Sequence, residues 1–229
     1  MAVAGVLVAA SAHAGGSLPA PWQHAPLNAS KPQTRYLPVT APGGGDAKNE
    51  PAIHATASSS ASVAVRPAGV DLTTHPIVAW RWLVRRQPDA PDLTSSTRED
   101  AAARLVFFFA GDRSRLPWTD RLVMAAADRL GSRALPFATL MYVSAPGQPT
   151  GQLFSNPYTR RIRMLVVDGA QAGDGVAWRS FRRNLREDFR RAFGEEPGRL
   201  LGWGLMTDSD NTRSRAEAVY GPVRFEPGP

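Results

Sequence analysis

A chain of 229 residues, 43% apolar and 21% charged, is long enough for one core of about 200 residues and too apolar for wholesale disorder. It has no cysteine, which excludes disulfides and thiolate metal sites and leaves stability to packing. Its net charge of +7 comes almost wholly from arginine, with Lys31 and Lys48 the only lysines. The arginines are spread among acids apart from one cluster at 179–191, so nucleic-acid binding, which wants a basic stripe or patch, is not expected.

In chain order, residues 1–14 (MAVAGVLVAASAHA) read as a signal peptide. An uncharged apolar run reaches Ala10, and Ala12-His13-Ala14 has the small-x-small form that precedes cleavage. The run is too short to cross a bilayer as a helix of about 20 residues, and no later apolar run supplies a transmembrane segment. A periplasmic or secreted protein is expected. Residues 15–21 form a small-residue tether, and 22–229 a single β-sandwich domain.

Strand character recurs at 35–40, 52–57, 62–65, 77–84, 104–109, 137–143, 161–167, 200–206 and 218–225, with turn-rich segments between most of them. In 77–84 the residues Val78, Trp80, Trp82 and Val84 alternate with Ala79, Arg81 and Leu83, the period of a half-buried strand. Trp80 and Trp82 on that face read as core. The segment 41–50 reads as a loop. Two helices interrupt the pattern. One, at 118–130, places Leu122, Val123, Ala126 and Leu130 on one side and stops at Gly131. The other, at 179–193, places Phe181, Leu185 and Phe189 four residues apart and stops at Gly194. The spacing predicts an all-β fold with minor α: an antiparallel, jelly-roll-like sandwich of eight to nine strands carrying two outer helices.

Asp208, Asp210 and Asn211 directly follow the apolar strand 200–206, at a strand end where loops often hold ligands. Their oxygens suit a hard cation, so calcium on Asp208 and Asp210 is one reading. The EF-hand glycine and glutamate are absent, however, and a structural turn is the favoured alternative. Arg104, at the head of an apolar strand, is expected to form a partly buried ion pair with Asp100 or Asp188. Asn184 and Asp188 lie along the edge of the second helix's apolar stripe. The histidines share no metal-ligand spacing, and there is no G-x-S-x-G elbow, P-loop or G-x-G-x-x-G.

Six stretches, SASVAV from Ser60, HPIVAWRWLV from His75, EDAAARLVFFF from Glu99, NLREDFRRAFGEEP from Asn184, GLMTDSDNT from Gly204 and AVYGPV from Ala218, resemble the bacterial exported family DUF3047, whose function is unknown. Val106, Ser144, Arg213 and Pro222 depart from its pattern, and Pro222 removes a possible oxygen ligand. The resemblance implies one exported domain with a strand pattern like that of galactose-binding-like jelly rolls. The resulting expectation is a noncatalytic module for a saccharide or cell-envelope glycan, with Asp100, Arg104, Asn184, Asp188, Asp208, Asp210 and Asn211 as candidate ligand-binding residues and no catalytic residue. The alternatives are a hydrolase of an envelope polymer using paired carboxylates, and a structural or protein-docking domain using its arginine-rich helix.

Overall fold

The computed structural model describes residues 18–27, 30–42, 49–118, 120, 121, 124, 125, 128, 135–157, 159–169 and 177–228. The expected signal peptide, residues 15–17 of the tether, and Leu122, Val123, Ala126, Leu130 and Gly131 of the first predicted helix lie outside them.

Two sheets face each other. In the first, of seven strands, the order is β1 (Gln23–Pro26), β4 (Ser62–Pro67), β11 (Leu200–Met206), β6 (Arg104–Phe109), β7 (Ala138–Ser144), β9 (Ile162–Asp168) and β8 (Leu153–Ser155). In the second it is β10 (Trp178–Asn184), β5 (Ile77–Arg86), β12 (Arg215–Tyr220), β3 (Asn49–Ser58) and β2 (Arg35–Pro42), and β13 (Arg224–Glu226) pairs with the first residues of β5. The main core lies between the sheets. Leu105, Phe107 and Phe109 of β6 meet Val78, Trp80 and Trp82 of β5 there, as strand alternation requires. Trp80 and Trp82 are 4% and 0% exposed, so both are core rather than a surface platform. Trp80 stacks on Tyr142 with the ring planes 5° apart.

Several elements differ from the sequence expectation. Thirteen strands occur among the described residues rather than eight or nine. β1 and β8 are too short to alternate, and 218–225 divides at Gly221-Pro222, where proline cannot donate to a ladder. The ends of the predicted loop 41–50 belong to β2 and β3. Every pairing is antiparallel except β7 with β9, which run parallel, so the sandwich is not the purely antiparallel one expected. Trp118, Asp120, Arg121, Met124, Ala125 and Asp128 of the first predicted helix are helical.

The second predicted helix is half strand. Residues 178–184 pair in register with β5, Phe181 opposite Trp80, and the helix α1 spans only Leu185–Phe193. Asn184 is its N-cap, accepting the Glu187 N–H, and Gly194 ends it with φ of 71°. The apparent four-residue spacing of Phe181 with Leu185 joins one strand residue to one helix residue. α1 buries Leu185, Phe189 and Ala192. Among the described residues no helix is long and apolar enough to cross a membrane.

Candidate functional site

Five of the seven candidate residues meet at one end of the first sheet. Arg104 opens β6 and pairs in register with Met206, so Asp208, two residues further on, comes to the same face. That face is the one opposite the main core, shared by Val106 and Met206. Arg104 is 1% exposed and donates from Nε and Nη2 to the two oxygens of Asp208, at 3.0 and 3.2 Å. Its Nη1 reaches Glu99 Oε1 at 3.3 Å, its Nη2 the Glu99 carbonyl, and Met164 Sδ lies 3.1 Å from Nη1. The expected partners of Arg104 were Asp100 or Asp188, and the structure replaces them with Asp208 and Glu99. Residues 99–101 fold back over the strand end, which sequence spacing does not reveal.

Asp100 instead clamps the following turn, accepting from the N–H groups of Asn211 and Thr212 and from Thr212 Oγ1. Asp208 also accepts the Ala101 N–H. Asp210 accepts from Lys31 at 2.6 Å, and Asn211 donates to the Glu99 carbonyl. Burial, with repulsion from Asp100 added, pushes the Asp208 carboxyl up to about 7 against the pull of Arg104 and the Ala101 N–H. Burial likewise raises Glu99. Burial alone would weaken the charge on Arg104, but Asp208 and Glu99 hold its guanidinium protonated beyond its ordinary range.

Asp100, Asp208 and Asp210 each bring a carboxylate oxygen within 4.8 Å of the others. Two of these carboxylates already face cations, Asp208 the Arg104 guanidinium and Asp210 the Lys31 ammonium. The donors in place make this a network of ion pairs that fastens two loops to the sheet.

Asn184 and Asp188 are elsewhere. Asn184 is occupied as a cap. Asp188, 6% exposed, takes both Arg183 Nε and Nη2 at 2.6 Å and the Tyr142 hydroxyl at 2.8 Å. Burial, followed by the charge of Asp188, raises the Tyr142 hydroxyl well above the usual phenol range.

A pocket of about 530 Å³ lies on the side of the sandwich where β9 of one sheet faces β10 of the other. Gln148 and Thr150 line it from the turn after β7, Val167, Asp168 and Gly169 from the end of β9, and Arg179, Ser180 and Phe181 from β10. Asp168 is oriented from the core side by the Trp82 Nε1–H at 3.0 Å, and Arg179 Nε stands 3.7 Å from its other oxygen. Gly169 is required by close approach: a Cβ there would come within 2.1 Å of the Gln148 carbonyl oxygen. Sequence reasoning missed these residues because reading 179–193 as one helix hid β10. The available signal was Asn184 three residues before Glu187, a helix start placed after Arg179, Ser180 and Phe181.

The family described as protein of unknown function (DUF3047) matches residues 20–224. No protein among the curated sequences matches the chain. The family match spans nearly the whole sequence, and the chain belongs to DUF3047.

Proposed function

We propose that this DUF3047 domain is a noncatalytic binding module that holds a saccharide or cell-envelope glycan residue in the pocket between β9 and β10, on a jelly-roll-like, galactose-binding-like scaffold. The observation that carries the reading is the lining. Asp168, Arg179, Gln148 and Thr150 line it together with one aromatic residue, Phe181, so a carboxylate, a guanidinium, an amide and a hydroxyl stand beside an apolar ring. Sugar hydroxyls both donate and accept, so Asp168 beside Arg179 suits a pair of neighbouring hydroxyls, and Phe181 suits the C–H face of the ring. In this reading Asp100, Arg104 and Asp208 serve by fixing loops, and Asp210 and Asn211 lie at the more exposed side of that network. The apolar run to Ala10 and Ala12-His13-Ala14 support export, to the periplasm or beyond.

The alternatives draw less support from the geometry. Glycosidic chemistry needs two carboxyl groups about 5–9.5 Å apart that reach substrate. Asp100 and Asp208 are 1% and 2% exposed with every oxygen engaged, and Asp188 is held by Arg183 and Tyr142. Much of the arginine-rich segment is paired locally: Arg182 pairs with Glu226, Arg183 with Asp188, and Arg186 and Arg190 share Glu196.

The test is a thermal-shift and calorimetric screen of the chain against neutral sugars and envelope glycans. A ligand that binds the folded state raises Tm. Arg179→Gln is expected to weaken the ligand found by about 10- to 100-fold, the scale of one charged hydrogen bond. No shift with any saccharide, or unchanged binding by Arg179→Gln, would sink the proposal.

A further inference from the structure

The opposite edge of the first sheet holds a cation of a different kind. Arg66, in β4, lies 5.5 Å from the Trp22 ring centroid and 5.3 Å from that of Trp203, and the two rings stand edge to face at 5.1 Å. Its Nε is sealed from solvent and has no hydrogen-bond partner. The other half-buried or buried arginines among the described residues have acceptors. Arg81 has Glu50, Arg104 has Asp208, Arg113 has Asp128, Arg161 has Glu195, Arg183 has Asp188, Arg186 has Glu196, and Arg163 donates to Ser155. Arg179 faces Asp168.

Aromatic faces stabilise the charge of a guanidinium but leave its N–H edge without an acceptor. At Arg66 the inner nitrogen is closed off, which leaves the Nη edge as the part of the side chain that can meet an acceptor from solution. A planar carboxylate fits that edge with two parallel N–H···O bonds, and the half-buried Trp22 indole beside it supplies an apolar neighbour for the ring that carries the carboxylate. We infer that Arg66, framed by Trp22 and Trp203, is a second binding subsite, one that takes the carboxylate of a uronic-acid residue in an acidic glycan. It stands independently of the pocket between β9 and β10, which lies at the other edge of the same sheet.

The experiment titrates the full chain with a trigalacturonate, following indole fluorescence, with the matching neutral galactose trisaccharide and inorganic sulfate as parallel arms. The expected result is a saturable change with the trigalacturonate that weakens at least about tenfold in Arg66→Gln, a charge-assisted pair being lost, and that neither the neutral sugar nor sulfate reproduces. If Arg66→Gln does not keep the folded circular-dichroism spectrum, Arg66→Lys carries the test. That variant keeps the charge but loses the fork, and at least about fivefold weakening is expected. An absent response, an unchanged titration in the variant, or an equal response to sulfate each overturns the inference. Binding of a neutral saccharide that depends on Arg179 would be unaffected by any of these outcomes, so the two sites stand or fall separately.

Discussion

Asp208 and Asp168 are both carboxylates at strand ends of the same sheet, 2% and 6% exposed, yet they sit in opposite circumstances. Asp208 is met by a bidentate guanidinium and a backbone N–H in a space filled by Met164 and the chain from Glu99 to Ala101. Asp168 is fixed from behind by Trp82 and faces Arg179 across a longer gap at the wall of a pocket. Burial therefore does not separate architecture from site. The difference lies in what adjoins each carboxylate: a filled interior beside Asp208 and the wall of a pocket beside Asp168.

The contrast can be broken most forcefully at Arg104. Arg104→Met strands Asp208 and Glu99 in an apolar setting, and urea unfolding is expected to show a loss of about 3–5 kcal/mol. A loss below about 1 kcal/mol would mean that water reaches the network and that it resembles the pocket after all.

The next effect is one of pH. Because burial raises the Asp208 pKa in the folded state, the folded chain holds that proton more tightly than the unfolded one. Its contribution is fully present below the unfolded value of about 4 and is lost as pH rises through about 7. Tm of the wild type is thus expected to fall between pH 5 and 8 relative to Asp208→Asn, which lacks the titration. Parallel profiles for the two proteins would show that Asp208 stays ionised throughout.

Smaller effects sharpen the other side of the comparison. Asn184→Ala removes the cap that separates β10 from α1 and is expected to cost about 1 kcal/mol in thermal or urea unfolding. Arg179→Gln, at a side chain 37% exposed, is expected to change stability by no more than about 0.5 kcal/mol while weakening the ligand. A large stability loss would make Arg179 a strut like Arg104.

The strands with strong alternation or apolar content were legible from sequence, and β6 and β11 fall at the predicted residues, 104–109 and 200–206. β10 was not. Its inward residues Arg179, Phe181 and Arg183 carry two charges, so the strand period is masked by polarity, while Phe181 falls at helical spacing from Leu185. Sequence placed Arg104 in an ion pair but not with Asp208, because that contact spans 104 positions and depends on the register of β6 with β11. The parallel pairing of β7 with β9 is likewise a tertiary outcome. The pocket draws on a turn, a strand end and an edge strand, none of which forms a motif in the chain.

The position of β11 and β12 has a consequence for how the molecule comes to be folded at all. β11 sits between β4 and β6, and β12 between β3 and β5, so each sheet is joined through a strand from the last 30 residues of the chain. Until residue 206 is present, the β1/β4 pair is separate from β6, β7, β9 and β8, and until residue 220 is present, the β2/β3 pair is separate from β5 and β10, with unpaired edges open to wrong partners. Folding is therefore dominated by long-range closure, the slow regime for β-rich chains. A chain cut before residue 200 is held back by topology from reaching the native state, because neither sheet can then join its two halves.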